Sequence, residues 1–383
     1  CWHVNNEYGG ECYCENCEKA FRVWLRKKYG TLANLNKAWN LEFWGHTVYS
    51  WDEIVLPNAL SEGLEDDRTA FAGISIDYHR FMSDSMLENY KLERDTIKQY
   101  QPEALITTNM MGTYKGLDYF KWAKEVDIVS WDNYPSYNTP WSYNAMCHDL
   151  MRGVKKMPFM LMEQTPSQQN WQPYNSLKRP GQMRAQSYQA MAHGADTIQF
   201  FQLRRSVGGC EKFHGAVIEH AGHENTRVFR EVAQLGNELK KLNGYIPGSV
   251  KEAKVGIIFD WDNYWALEYT SGPHKDLKYV EQIHQYYEYF YNDENTTLMH
   301  ESYYNQTNSL KYLGPDIESV GEISYEIERL NGKISGTDPY LKPDGTVSLG
   351  SSGGSGAIPR ADQELTFTIK WNDQEETFVA RAK

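Results

Sequence analysis

The sequence predicts an α/β fold in which parallel strands alternate with helices. Short apolar runs recur along residues 1–244, and each is followed by a segment whose apolar residues repeat at helical spacing. Strands separated by helices pair in parallel, because the helix returns the chain to the same end of the sheet. The strands are expected at Cys1–Asn6, Ala104–Asn109, Asp127–Asp132, Phe159–Glu163 and Thr197–Phe201.

The helical segments between these strands carry recognisable start and stop residues. Gly30 suits the end of a helix, and Thr31 suits the cap of the next one. Pro102 stops a third, long helix. The helices are expected at Glu18–Tyr29, from Leu32 to Trp39, at about Ser75–Tyr100, Leu117–Lys124, Tyr143–Val154 and Gly181–His193, and from a cap at Asn225 to Gly244.

Five strand–helix units correspond to the later part, about strands 4–8, of a (β/α)8 TIM barrel. A complete barrel has eight units in roughly 250 residues, so three units, about 100 residues, are expected to be missing at the front. The chain opens on Cys1 within a strand and has no initiator Met, which indicates a cut start. A targeting signal therefore cannot be assessed.

The remaining chain predicts two further parts. Residues 1–246 form the barrel portion, and 247–292 start a second α/β domain with a strand at Ala253–Phe259 and a helix at about Asp276–Tyr291. Residues 293–383 read as a β-rich tail that suggests no chemistry. The tail contains a Gly/Ser linker near 350–356 and strand-like segments Glu364–Trp371 and Glu376–Ala380, joined by an Asn372-Asp373 turn.

The composition excludes several partners. A net charge of -12 argues against nucleic acid and anionic membranes, since both attract a basic face. No apolar segment reaches membrane-spanning length. Aromatic residues make up 14%, with 12 Trp and 27 Tyr, which indicates either a large core or a saccharide site.

Two glutamates end apolar strands. Glu7 follows the first strand and Glu163 ends the fourth, where a carboxylate is poorly solvated unless it has a partner. Two such groups about 5–5.5 Å apart are what a retaining glycosidase requires: one protonates the glycosidic oxygen and the other attacks the anomeric carbon. Asn6 suits the sugar 2-hydroxyl. The alternative is that both glutamates make structural hydrogen bonds at the barrel mouth.

Three of the six cysteines, Cys12, Cys14 and Cys17, form a C-x-C-x2-C pattern. Three thiolates on a short loop suit zinc, but a closed structural site needs four ligands. The alternative is three free thiols in a reducing compartment. A cytoplasmic location is expected.

These motifs together resemble glycoside hydrolase family 42 β-galactosidases, a family of retaining (β/α)8 enzymes. The resemblance covers residues 1 to about 290 and not the segment beyond. It rests on His3–Gly10, Cys12-Tyr13-Cys14-Glu15-Asn16-Cys17, Trp131-Asp132-Asn133-Tyr134-Pro135, Met162-Glu163-Gln164-Thr165-Pro166 and Phe201–Gly222.

The resemblance implies a role for each matching residue. Glu7 is the acid/base after barrel strand four, and Glu163 is the nucleophile after strand seven. Tyr134 orients Glu163, and Trp171 forms an aromatic wall for the galactose. Glu211 and His214 bind the galactose hydroxyls. The resemblance also implies a structural zinc whose fourth cysteine lies upstream, no organic cofactor, and a homotrimer, which the short second domain leaves in doubt here.

Two rival functions remain open at this point. Another retaining β-glycosidase of the same clan would share Glu7 and Glu163 but not Glu211 and His214. A non-catalytic saccharide-binding module or inert fragment would follow from the missing strands. Five strands with two unpaired edges are a liability, so the chain alone is expected to aggregate or fold loosely and to be inactive.

Overall fold

A computed structural model gives the structure of this protein. It describes residues 1–59, 71–249, 253–269, 277–292, 303–314, 316–329, 332–338, 341–355 and 364–381. The chain forms two compact units, Cys1–Phe290 and Tyr291–Lys383. Residues 247–290 therefore belong to the same compact unit as the parallel strands, and the division into three domains stays a prediction.

The first unit contains the predicted parallel strands. They are β1 (Trp2–His3), β2 (Ile106–Thr107), β3 (Asn109–Met110), β4 (Ser130–Asp132), β5 (Phe159–Glu163) and β6 (Ala195–Ile198). β1 pairs with β2, and a second sheet has the order β3-β4-β5-β6, with every pair parallel. Because β2 and β3 are successive parts of one predicted strand, the five expected strands are all present. The partial (β/α)8 barrel is confirmed.

Helices follow the strands as predicted. They are α1 (Glu15–Tyr29), α2 (Leu32–Trp39), α3 (Ala72–Tyr100), α4 (Tyr119–Trp122), α5 (Trp141–Lys155), α6 (Gln182–Ala192), α7 (Arg227–Leu242), α8 (Trp261–Tyr269) and α9 (Tyr279–Asn292). Of these, α8 is an additional helix that the sequence pattern did not predict. Gly30 ends α1 with φ 73°, and the Thr31 side chain caps α2 by accepting from Asn34 N. The cap of α7 is Thr226, which accepts from Phe229 N, and not the predicted Asn225.

One polar group joins the first three helices. The Asp77 carboxylate is fully buried and accepts from Tyr29 Oη at 2.6 Å and from Trp39 Nε1 at 2.9 Å. It also pairs with Lys28 and with Arg80, whose Nη1 lies 2.7 Å away. Phe21 and Leu25 of α1 pack beside this network in an apolar cluster with α2 and α3. The network fixes the helices that follow the cysteine loop.

The prediction of a strand at Ala253–Phe259 is wrong. Residues 253–260 are irregular, and no strand in the described part of the chain pairs with them. A strand needs a neighbouring backbone, whereas at the end of this segment Asp260 N–H donates to the Tyr279 hydroxyl at 2.8 Å. The helix α8 that follows is held in turn by Trp261 Nε1, which donates to Tyr114 O at 3.1 Å, and by Trp265 Nε1, which donates to Lys115 O at 2.7 Å. The predicted helix that follows is α9, which begins at Tyr279.

The second unit is antiparallel, as a β-rich tail predicts. Its strands are β7 (Tyr303–Lys311), β8 (Ile323–Arg329), β9 (Gly332–Asp338), β10 (Thr346–Ser355), β11 (Glu364–Trp371) and β12 (Gln374–Arg381). β7 pairs with β10, and the other four have the order β12-β11-β8-β9. Asn372 and Asp373 form the predicted hairpin turn, both with positive φ (43° and 60°), as a two-residue I′ turn requires.

The predicted linker near residues 350–356 is not a linker in the described residues. Residues 350–355 lie in β10, of which 351–355 pair with β7 through Tyr303 to Thr307, and residue 356 lies outside the described part of the chain. Backbone pairing does not depend on side chains, so a Gly/Ser run can still join a ladder. None of the helices in the described residues combines the length and apolar character that crossing a membrane requires.

Candidate active site

Glu7 lies in a tight turn directly after β1. Asn5 and Glu7 both have positive φ (56° and 44°), a conformation that costs a non-glycine residue on the order of 1 kcal/mol. Glu7 N–H donates to Asn109 Oδ1 at 2.8 Å, and the buried ring of Tyr8 packs on Trp122 with 5.2 Å between centroids. These contacts hold Asn6 and Glu7 at the strand end.

Glu163 is the last residue of β5, opposite Asp132 at the end of β4. Tyr134 lies two residues after β4 and donates its hydroxyl to Glu163 Oε2 at 2.6 Å. Parallel strands place their carboxyl ends at the same edge of the sheet. Asp132 and Tyr134 come at and just after the end of β4, and Glu163 ends the neighbouring β5. The fold therefore brings these three groups together.

The sheet edge gathers three carboxylates. One carboxylate oxygen from each of Glu7, Asp132 and Glu163 lies within 4.8 Å of the others. Paired carboxyls of retaining glycosidases lie about 5–5.5 Å apart, and those of inverting enzymes about 6.5–9.5 Å. The oxygens of Glu7 and Glu163 are therefore close enough to suit the retaining arrangement rather than the wider inverting one.

The ionisation of Glu163 is set by opposing influences. Burial raises the pKa of its carboxyl, and the negative charge of Glu7 raises it further. The hydrogen bond from Tyr134 lowers that pKa, because the phenol stabilises the ionised carboxylate. Tyr134 thus favours the charged form of Glu163.

Asn109 and Asp132 complete this polar cluster, although sequence reasoning did not select them. Both are buried, at 3% and 6% exposure. Asn109 Nδ2 donates to Asp132 Oδ2 at 2.5 Å and to Asn6 Oδ1 at 3.0 Å. The available signal was the one that identified Glu7 and Glu163, namely a polar residue at the end of an apolar strand.

Aromatic rings line the site beside Glu163. Trp171 stacks on His214 with 5.3 Å between centroids, and Tyr134 meets both rings edge-on at 5.0 and 5.7 Å. His214 is fully buried, its Nδ1 lies 2.9 Å from Gly215 O, and burial lowers its pKa. Trp171 is half exposed, so one face of the cluster remains open to solvent.

Glu211 lies in the turn that carries His214. His214 N–H donates to Glu211 O at 2.9 Å, and the Glu211 charge is close enough to raise the pKa of Glu163. This turn docks on the loop after β5 through Asn170 Nδ2, which donates to Cys210 O at 2.6 Å. The structure therefore brings Glu211, His214 and Trp171 to the same edge as the two glutamates.

The two loops approach each other closely. Gly215 N–H donates to Gln168 O at 2.8 Å, and a Cβ on Gly215 would lie 2.2 Å from Ser167 Oγ, so only glycine fits. Lys178 supports the same loop from beneath: its Nζ donates to Thr165 O at 2.6 Å, and burial lowers its pKa to about 7. The loop after β5 and the turn that carries His214 therefore pack directly against each other, next to the aromatic cluster.

Cys12, Cys14 and Cys17 form a separate group. Their sulfur atoms lie within 4.8 Å of one another, and Sγ of Cys14 is 3.7 Å from Sγ of Cys17. Cys14 occupies the N-cap position of α1, where the nearby backbone N–H of Cys17 lowers its thiol pKa to about 7. Burial raises the pKa of Cys17 instead. Among the described residues, no further Cys, His, Asp or Glu joins the group.

Comparisons with known proteins match most of the chain. The profile of glycoside hydrolase family 42, described as beta-galactosidase, matches residues 1–242. A second profile, described as the beta-galactosidase trimerisation domain, matches residues 253–299. The first match spans both glutamates, the cysteine loop and the aromatic cluster.

Individual relatives are similar over the same region. β-Galactosidase BgaP of Planococcus sp. (strain L4) is 66% identical over 291 residues, which cover 76% of this chain and 43% of the relative. β-Galactosidase LacZ of Lactobacillus acidophilus is 57% identical over 293 residues, covering 76% and 44%. The chain thus spans less than half the length of these curated relatives.

Solved structures agree with the sequence comparisons. The β-galactosidase of Bacillus circulans sp. alkalophilus superposes with a TM-score of 0.74 at 44% identity, covering 100% of this chain and 66% of that one. The β-galactosidase of Rahnella sp. R3 has a TM-score of 0.70 at 44% identity, covering 75% and 42%. The chain belongs to the β-galactosidases of glycoside hydrolase family 42.

Proposed function

We propose that the protein carrying this chain is a retaining β-galactosidase that hydrolyses terminal β-D-galactosides. The observation that carries this proposal is the placement of Glu7 and Glu163 at one sheet edge, with carboxylate oxygens within 4.8 Å. That spacing matches the two-glutamate double displacement. The family profile supports the substrate class.

In the first step, Glu163 is the nucleophile and Glu7 the general acid. Tyr134 occupies Oε2 of Glu163, so Oε1 attacks the anomeric carbon and forms a glycosyl ester. Glu7 donates its proton to the glycosidic oxygen as the bond to the leaving group breaks. The leaving alcohol departs neutral.

In the second step, Glu7 acts as the base. Its carboxylate takes a proton from water as the water oxygen attacks the anomeric carbon, and the Glu163 carboxylate leaves. The Asn6 carbonyl already accepts from Asn109, so the Asn6 amide nitrogen remains to donate to the sugar 2-hydroxyl. Such a contact strengthens in the transition state.

Galactose recognition is proposed for the aromatic cluster and its neighbouring turn. The half-exposed ring of Trp171 offers a flat wall for the C–H face of a sugar. Glu211 can accept from two adjacent hydroxyls, which distinguishes axial from equatorial orientation. His214 Nε2 is buried and without a hydrogen-bond partner among the described residues, so a sugar hydroxyl is a suitable partner.

A glycoside panel tests the proposal. The full-length protein carrying this sequence is assayed with nitrophenyl β-galactoside, β-glucoside, β-mannoside and β-fucoside, and the anomer first released is identified by NMR. We expect the highest kcat/KM with the galactoside and a β-anomer product. Preference for another glycoside favours the clan rival, and binding without turnover favours a saccharide-binding module.

We also propose that the cysteine group holds a structural zinc. Cys12, Cys14 and Cys17 supply three converging thiols, one of them with a lowered pKa, and thiolates are ligands that zinc prefers. The metal would fix the loop between the Glu7 turn and α1. A fourth ligand is proposed upstream of Cys1. Thiolate ligands are compatible with the predicted cytoplasmic location, where cysteines stay reduced.

A homotrimer is proposed for the complete protein. The trimerisation-domain profile at residues 253–299 supports it. Within the described part of that region, α9 exposes the aromatic residues Tyr286, Tyr289 and Phe290. The mass in solution, measured by light scattering, is expected to be three times that of one chain.

A further inference from the structure

Asp132 is the least exposed of the three carboxylates at the sheet edge. It ends β4, between β3 and β5, and is 6% exposed. Its Oδ2 accepts from Asn109, whereas its Oδ1 has no hydrogen-bond partner among the described residues. An acceptor buried without a donor is rare, but an oxygen that carries a proton can itself donate.

The groups that face Asp132 are acidic or neutral, whereas the basic side chain of His3 lies beyond Asn109, with Nε2 2.9 Å from Asn109 Oδ1, and acts on Glu163, whose pKa it lowers. Glu163 and Glu7 face it within 4.8 Å, and the phenols of Tyr134 and Tyr119 also lie close enough to interact with it electrostatically. Burial raises the pKa of Asp132 to about 10, with Glu163 and then Glu7 adding to the shift. Three ionised carboxyls in so small a volume repel one another strongly. The proton is therefore most stable on the most buried one.

Asn109 connects Asp132 by hydrogen bonds to the turn that carries Asn6 and Glu7. The Glu7 backbone N–H can only donate, so its contact at 2.8 Å identifies Oδ1 of Asn109 as the carbonyl oxygen. Nδ2 must then donate to Asp132 and to Asn6 Oδ1. This fixes the flip of the Asn6 amide and directs its nitrogen away from Asn109. Asp132 thus terminates a chain of hydrogen bonds that ends at the sugar-facing amide.

We propose that Asp132 is a positioning residue that stays protonated between the two glutamates and, through Asn109, orients Asn6 and the Glu7 backbone. The inference rests on the proposed glycosidase function. With a proton on Oδ1, Asp132 accepts through Oδ2 and is able to donate towards a glutamate carboxylate within 4.8 Å. An ionised Asp132 would instead add a third negative charge beside the nucleophile.

Two substitutions in the full-length protein, Asp132→Asn and Asp132→Ala, distinguish a protonated Asp132 from an ionised one. Asparagine reproduces a neutral acid, because its carbonyl accepts from Asn109 and its amide donates to a glutamate. We expect Asp132→Ala to lower kcat/KM about 100-fold through misplacement of Asn6 and Glu7. Asp132→Asn should recover most of that loss, to within about tenfold of wild type. Folded Asn and Ala variants with equal losses, or an Ala variant without loss, would overturn the proposal.

The pH profile tests the charge. If Asp132 is neutral, Asp132→Asn leaves the acid limb of kcat/KM where it is in the wild type. If Asp132 is ionised, the substitution removes a negative charge next to Glu163, lowers the pKa of Glu163 and shifts the acid limb to lower pH. That shift would contradict the proposal. If circular dichroism shows that Asp132→Ala does not fold, the pH profile of Asp132→Asn alone still tests whether Asp132 is neutral.

Two further measurements distinguish this inference from the proposed function. The wild-type infrared spectrum at neutral pH should contain a protonated-carboxyl band that Asp132→Asn lacks, whatever the activity; absence of a difference overturns the protonation. On a 2-deoxygalactoside, which offers Asn6 no hydroxyl, the Asp132→Ala loss should be several-fold smaller. Equal losses on both substrates would exclude action through Asn6. A wild type without glycosidase activity refutes the function but leaves the infrared test valid.

Discussion

The ionisation of Glu163 depends on a few neighbouring atoms. Burial and Glu7 favour the neutral acid, and Tyr134 favours the carboxylate. A nucleophile must be ionised, so activity is present above the pKa of Glu163 and is lost as the pH falls through it. Because that pKa is raised, the acid limb should lie above the ordinary glutamate range.

Tyr134→Phe removes the hydrogen bond that stabilises the carboxylate. The pKa of Glu163 should rise, and the acid limb of kcat/KM should move to higher pH. The measurement is a pH–rate profile with an aryl galactoside. Tyr137→Phe is the matched control, because this tyrosine lies on the same loop but is 66% exposed. An acid limb that stays in place or moves to lower pH in Tyr134→Phe would contradict the assignment.

The two glutamates should respond differently to the leaving group. Glu163→Gln should abolish turnover even of an activated aryl galactoside, because no nucleophile remains. Glu7→Gln should spare part of that activity, since a good leaving group needs little protonation. The measurement is kcat/KM over a series of aryl galactosides of differing phenol pKa. Equal losses with every leaving group in both variants would refute the roles.

Among the elements, the helices α1, α2 and α3 are connected by one buried carboxylate. Asp77 bonds residues of all three helices, and Arg80 extends the network to Asp262 at 2.8 Å. Breaking a buried ion pair by removing one partner leaves the other charge uncompensated. The positions of these helices therefore depend on Asp77 as well as on the apolar cluster.

Asp77→Ala should destabilise the protein by about 3 kcal/mol, near the lower bound for a broken buried pair, because Lys28 and Arg80 are partly exposed. Urea unfolding followed by circular dichroism measures the change. Glu15→Gln is the control, since its pair with Lys19 is exposed and should leave the midpoint unchanged. Similar midpoints for both variants would show that the network is dispensable.

At the scale of the whole molecule, the cysteine group links the Glu7 turn to the helical layer. The proposed zinc is structural, because four protein ligands leave no site for an activated water. Metal binding to the folded state alone adds to stability. Loss of the metal should therefore reduce stability before it affects chemistry.

Elemental analysis of the full-length protein should find about one zinc per chain. Cys14→Ser should lower the zinc content and the melting temperature, whereas Cys210→Ser, whose thiol lies outside the group, should leave the zinc content unchanged. Chelation that stops turnover while the melting curve is unaltered would exclude a structural role.

Local patterns in the sequence determined much of this protein. The strand–helix order, the caps at Gly30 and Thr31, the hairpin turn at Asn372 and the strand-end placement of Glu7 and Glu163 all follow from periodicity and turn chemistry. These are properties of neighbouring residues, so they are readable without a fold. The family resemblance added the roles of the remaining site residues.

Only the tertiary structure decided which strand-end groups meet. Asn109 bonds Glu7 and Asn6, which are 102 and 103 positions away, and no local pattern encodes that contact. The same reason explains the errors: Ala253–Phe259 has strand-like residues but no pairing backbone among the described residues, whereas the Gly/Ser run pairs with β7 through residues 351–355. Strands and buried polar clusters need partners that are distant in the chain, and those partners are set by the fold.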